Sequence, residues 1–190
     1  MPINHRHATA GFAALLLGTA INLTAAHAAP ADRTTLNQQV MTTLQQCQQV
    51  SVSCSETTTH AKGVLVFPTV TKASFIVGGQ GGEGALVENG KITGYYNLGA
   101  ASAGLQAGIE NNSQVYVFRT ADALATLKNS PNWKADASAG VTVVTADANA
   151  KGVSSANVLA YVFDSKGLHG GVSLGVMDVW KDGNKRPASM

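Results

Sequence analysis

The chain has 190 residues, 45% apolar and 13% charged, with 13 Lys and Arg against 11 Asp and Glu for a formal charge of +2. That balance excludes a highly charged disordered chain, which needs low hydrophobicity. It also argues against nucleic-acid binding, which leaves a strong basic excess, and two Cys are too few for a stapled mini-protein or a four-Cys zinc site.

Residues 1–28 read as a secretory signal. A short positive end around Arg6 precedes an apolar and small-residue run from Ala8 to Leu23, closed by Ala26-His27-Ala28, an A-x-A cleavage pattern. An uncleaved membrane anchor needs ~20 strongly apolar residues, and Gly18, Thr19 and Asn22 interrupt this run. Cleavage starts the mature chain at Ala29 and sends it out of the cytoplasm, most simply to a bacterial periplasm. Residues 29–182 then form one domain and 183–190 a polar tail. The mature part keeps 12 Lys and Arg against 11 Asp and Glu, so its charge is near neutral.

Leu36, Val40, Leu44 and Cys47 recur at helical spacing, so residues 34–49 form a helix with one buried face. Its other faces are rich in Gln and lack Lys or Arg, unlike a basic membrane-surface helix. Cys47 and Cys54 both fall in the exported part. A local disulfide is the natural reading in an oxidising compartment, with two free thiols as the alternative. The intervening residues 51–53 lie between helix-like and loop-like sequence.

Strand character begins after Thr59. Val64-Leu65-Val66-Phe67 is a short apolar run stopped by Pro68, and residues 73–77 and 85–87 follow on either side of a glycine cluster. Asn89-Gly90 predicts a two-residue hairpin into residues 92–96. Further strands are expected at 103–109 and 115–118, with Asn111-Asn112-Ser113 as their turn. Residues 120–129 form a short helix with Thr120 as cap and Asp122 in its first turn. Strands at 139–145, 158–163, 168–174 and 176–180 complete the domain. The expected fold is α+β and mainly β. Its antiparallel sheet closes into a barrel or sandwich, with an N-terminal helix and one short internal helix.

The residues give no argument for catalysis. Gly79-Gln80-Gly81-Gly82-Glu83-Gly84 matches G-x-G-x-x-G, but the motif must open a helix after a strand, and here strand-like sequence and a hairpin follow. His60 and His169 have no partner at metal-ligand spacing. A hydrolase using His169 with Asp164 or Asp178 lacks a nucleophile-elbow sequence. No enzyme activity, cofactor or metal is expected.

Several segments in order resemble the SYLF domain. They are Ala61-Lys62-Gly63-Val64-Leu65-Val66-Phe67-Pro68, Lys72-Ala73-Ser74-Phe75, Gly78-Gly79, Gly82-Glu83-Gly84, Gly94-Tyr95-Tyr96 and Ser102-Ala103-Gly104-Leu105-Gln106-Ala107-Gly108. Asp122-Ala123-Leu124 and the run from Ser165 to Leu174 also fit, so the resemblance covers residues 35–182. It implies phospholipid binding without catalytic residues. Eukaryotic members resemble phosphoinositide and actin adaptors, and actin binding does not carry over to an exported chain. The helix here lacks the basic residues that some relatives use on lipid, and no lipid-modified Cys follows the signal. The residues expected to meet lipid are Lys62, Lys72 and Lys166 at phosphates, with Phe75 and Leu168 inserting. The partner is then an anionic phospholipid surface, with the protein peripheral to a membrane. The rival is a structural module whose partner is an envelope protein, bound by strand addition.

Overall fold

The computed structural model describes residues 33–74, 77–103, 108–145, 155–164, 166–168 and 177–184. Two helices come first, α1 (Arg33–Val50) and α2 (Val52–Thr59). The strands β1 (Gly63–Ser74), β2 (Val77–Glu88), β3 (Lys91–Ala103) and β4 (Gly108–Phe118) follow, then α3 (Ala121–Asn129). After β5 (Trp133–Lys134) and a 3-10 turn at Ala137–Ala139 come β6 (Val141–Val144), β7 (Val158–Asp164), β8 (Gly167–Leu168) and β9 (Asp178–Lys181). One sheet holds all nine strands in the order β5-β9-β3-β2-β1-β4-β7-β6, with β8 added on β7.

The central strands are buried on both faces, which explains their unbroken apolar runs. Leu65 and Phe67 of β1, Tyr116 and Phe118 of β4 and Leu86 of β2 point to an inner face. Their neighbours Val64, Val66, Val115, Val117, Ala85 and Val87 point to the outer face. Residues from opposite flanks, Trp133 and Val179 on one side and Val141 and Val158 on the other, meet in the inner cluster. The sheet is therefore curled into a half-barrel, with α3 adding Leu124 and Leu127 to its inner side. The α+β, mainly β reading holds, and the expected barrel or sandwich is this half-barrel.

Helix α1 covers the outer face with Leu36, Val40, Thr43 and Cys47. The segment 52–59, which has no apolar period, is also helical. Ser51 caps it by accepting from the Cys54 N–H at 3.2 Å, and Tyr161 Oη lies 2.9 Å from both Ser53 Oγ and Thr57 Oγ1. The Cys47–Cys54 disulfide joins the two helices and both half-cystines are fully buried. Reducing it, or replacing both by Ala, is expected to cost about 2–3 kcal/mol in urea unfolding, since a short closed loop constrains the unfolded chain modestly.

Four other expectations change. Strand β1 does not stop at Pro68. A bulge there shifts the register between Phe67 and Val70, the Ser113 hydroxyl donates to the Pro68 carbonyl at 2.7 Å, and pairing resumes to Ser74. A bulge tolerates a proline because the missing N–H leaves no ladder bond broken. Asn111-Asn112-Ser113 is not a turn but part of β4, paired with Val70 and Thr71 through Asn112 and Asn111. Strand β6 runs parallel to β7, so the sheet is not wholly antiparallel. Trp133 lies in a short strand that the sequence did not announce.

The Asn89-Gly90 hairpin forms as expected, with φ of 51° and 76° as its turn requires. Beside it, Glu88 accepts from the Thr93 hydroxyl and pairs with Lys128 of α3 at 3.2 Å. The Thr93 bond, opposed by partial burial and helped by Lys128, lowers the Glu88 carboxyl below its ordinary value of 4.5. A lowered folded value stabilises above the ordinary one and is lost as pH falls through it. Glu88→Gln is therefore expected to cost up to about 1 kcal/mol near neutral pH. That deficit should close as pH drops below the ordinary carboxyl value, as read from urea midpoints against pH.

Candidate functional site

The sequence-predicted contact residues do not form one patch. Lys62 and Lys72 stand near opposite ends of β1, roughly 30 Å apart at ~3.3 Å per residue. Lys62 is exposed and its backbone N–H donates to the Phe118 carbonyl at 2.8 Å. Lys72 is exposed between Gln80 and Glu110, and its Nζ lies 3.9 Å from the Glu110 carboxylate. Lys166 is exposed in the β7–β8 turn, where its backbone N–H donates to Asp164 Oδ1 at 2.6 Å. Leu168 is half-buried against the outer-face cluster, a packing role. Phe75 and His169 lie outside the described residues.

Past the bulge, β1 to β4 continue as an arm that, among the described residues, the inner cluster reaches through Val70, Leu98 and Ala100. Strand alternation divides its side chains. Lys72, Gln80, Glu110 and Asn112 continue the inner face. That face leads back to buried Gln114, whose Nε2 donates to Asn112 Oδ1 at 3.0 Å. Gln114 Oε1 in turn accepts from the Tyr116 hydroxyl at 2.7 Å, and burial pushes that phenol's pKa up. The outer face of the arm carries Ala73, Gly79, Gly81, Ala101 and Ile109, brought side by side by the pairings Ala73↔Gly79, Ala73↔Ile109 and Gly79↔Ala101. Ile109 is 76% exposed there.

The arm's outer face is therefore built of small residues, with Thr71 and Asn111 exposed beside Gly81 and one projecting aliphatic side chain, Ile109. The cation behind it is partly neutralised by Glu110. Sequence reasoning missed Ile109 because Asn111 and Asn112 after it read as a turn.

The glycine motif lies inside β2 and opens no helix. Among the described residues no three His, Cys, Asp or Glu side chains gather around a common point. At the other end of the sheet a polar cleft of about 430 Å³ lies between the last turn of α2 and the start of α3.

The sequence profile of the family described as "Las17-binding protein actin regulator" (Ysc84, the SYLF domain) matches residues 99–186. The match runs from within β3, through β4, α3 and β5 to β9, and stops short of α1, α2, β1 and β2. No curated protein matches the chain.

Proposed function

Because the chain belongs to the SYLF family, which is associated with lipid- and actin-binding adaptors, we propose that it is an exported, non-enzymatic phospholipid-binding domain. It contacts the anionic headgroups of a bacterial envelope, peripheral to a membrane and in the periplasm. Export rests on the signal pattern of residues 1–28. The observation that carries the lipid reading is the arm, where Ile109 stands 76% exposed beside Ala73 on a face of small residues. An aliphatic side chain in that position enters the headgroup boundary, and Lys72 reaches phosphates from the other face. Each cation near an anionic surface adds ~1 kcal/mol, screened by salt. Glu110 trims that share at Lys72, so apolar insertion supplies the rest.

Flotation of residues 29–190 with neutral and anionic vesicles at two salt concentrations tests this. Binding should favour anionic vesicles and weaken, without vanishing, at high salt. Absence of flotation with every composition overturns the reading. One observation favours the alternative, an envelope-protein interaction module. Strand β4 pairs with β7 only over Ser113–Phe118. Its arm segment has no second partner strand among the described residues, and a free edge accepts an added strand. Failure of flotation with capture of a purified envelope protein through that edge would establish it.

A further inference from the structure

The edge of the arm and a notch at its base meet at Asn111. Along the arm β4 pairs with β1, from Val70↔Asn112 to Ser74↔Gly108, whereas its pairing with β7 begins only at Ser113. Among the described residues, the side of Gly108–Asn112 facing away from β1 therefore carries no strand. Where the β7 pairing ends, a notch of about 400 Å³ opens between the last turn of α1 and the base of the arm. Val50, Pro68 and Phe163 supply its apolar lining and Asn111 borders it. Val50 is 45% exposed there.

A strand added on that side continues the ladder that β7 begins. Residues directly opposite each other in such a pair share a face of the sheet. On the outer face, the residue opposite Asn111 enters the notch against Val50 and Pro68. The outer residue two positions along covers Ile109, which is 76% exposed without it. Both positions suit aliphatic side chains. The position between them lies on the inner face, opposite Glu110. The Glu110 side chain is 73% exposed, and Lys72 Nζ, 3.9 Å away, approaches it from the β1 side. A cation on the added strand meets the same carboxylate from the other side.

A second copy of the chain fits this edge less well. Antiparallel pairing of two Gly108–Asn112 segments about a twofold axis centres on position 110. It sets the two Glu110 carboxylates opposite each other, a destabilising like-charge pair. We propose that the arm edge binds an extended partner segment of the pattern aliphatic–basic–aliphatic, with Lys or Arg opposite Glu110 and one aliphatic side chain in the notch. Main-chain hydrogen bonds supply the affinity and the side-chain positions supply the selection. The inference rests on the strand-addition reading and names the chemistry of the partner.

Fluorescence anisotropy of residues 29–190 with the labelled peptide Ser-Thr-Val-Lys-Val-Thr-Ser, without lipid, tests the proposal. The peptide reads the same in both directions, so either strand direction is sampled. Replacing its Lys by Glu should weaken binding about tenfold, because an attractive cross-strand charge pair becomes a repulsive one. Glu110→Lys should reverse that preference and leave the melting temperature unchanged. Replacing both Val of the peptide by Ser should also weaken binding, and Val50→Ser should narrow that difference. Amide exchange in the fragment holding residues 108–112 should slow when the peptide binds.

Equal binding of the Lys and Glu peptides, with slowed exchange at residues 108–112, overturns the inference and leaves strand addition standing. Absence of binding and of slowed exchange with every peptide overturns both. Self-association of the peptide-free protein in sedimentation, lost in Ile109→Asp, assigns the edge to a second copy and also overturns the inference.

Discussion

Gly84→Ala is expected to destabilise the domain by about 3 kcal/mol or more, the upper range for forcing atoms into a packed core. A Cβ at Gly84 would lie 2.2 Å from the Val66 carbonyl oxygen and 2.6 Å from Phe67 Cδ1. Both neighbours belong to β1 in the middle of the sheet and are fully buried. A close-packed interior gives them no room to retreat. Gly81→Ala is the control, three positions away on the same strand. Its Cβ would meet only the Leu98 carbonyl oxygen, at 3.5 Å, an ordinary contact. That change should be neutral, or stabilising by up to about 1 kcal/mol through the unfolded chain. Urea unfolding of the two variants measures both, and similar losses at the two positions would contradict the packing described for β1 and β2.

Trp133→Ala should cost about 3–5 kcal/mol, the usual range for emptying a buried aromatic site. Trp133 is 3% exposed. Its ring meets Tyr116 edge-on with centroids 5.9 Å apart, and Phe118 at 5.3 Å. Tyr116 in turn meets Phe67 edge-on at 6.1 Å. Through this stack a two-residue strand at one flank fastens the curl of the whole sheet. Trp133→Phe should retain most of the stability. A loss below about 1 kcal/mol for the alanine variant, typical of a surface site, would show that the half-barrel does not depend on this anchor.

What the sequence disclosed followed from local signals. The Gln-rich helix was legible from its four-residue spacing, the β2–β3 hairpin from Asn89-Gly90, and α3 from Thr120 and its buried Leu124 and Leu127. The missed features depend on distant partners. Helix α2 has almost no apolar face. It holds because Cys54 is tied to Cys47 and because Tyr161, more than a hundred residues away, reaches its Ser53 and Thr57. Asn111 and Asn112 carry turn chemistry, yet the strand accepts them because the Asn111 side chain is exposed on the outer face and Asn112 takes a hydrogen bond from Gln114 on the inner one.

The same cause blurred the candidate site. Pro68 concealed the second half of β1, so Lys62 and Lys72 read as belonging to separate segments, although one strand runs between them and holds them apart. Leu168 read as an inserting residue from the SYLF resemblance alone, whereas its packing partner is the outer-face cluster. The notch was not legible at all, since Val50, Pro68 and Phe163 meet only in the folded chain.

In the proposed lipid contact the arm, not the Lys62 end, meets the membrane. Flotation with anionic vesicles tests it most directly, comparing Ile109→Asp, Lys72→Ala and Lys62→Ala on residues 29–190, with melting temperatures to confirm folding. Ile109→Asp should nearly abolish flotation, because it replaces an inserting side chain with a charge that the surface repels. Lys72→Ala should weaken flotation in a salt-dependent manner, and Lys62→Ala should leave it unchanged. Unaltered flotation of a folded Ile109→Asp variant, or loss confined to Lys62→Ala, would contradict the claim.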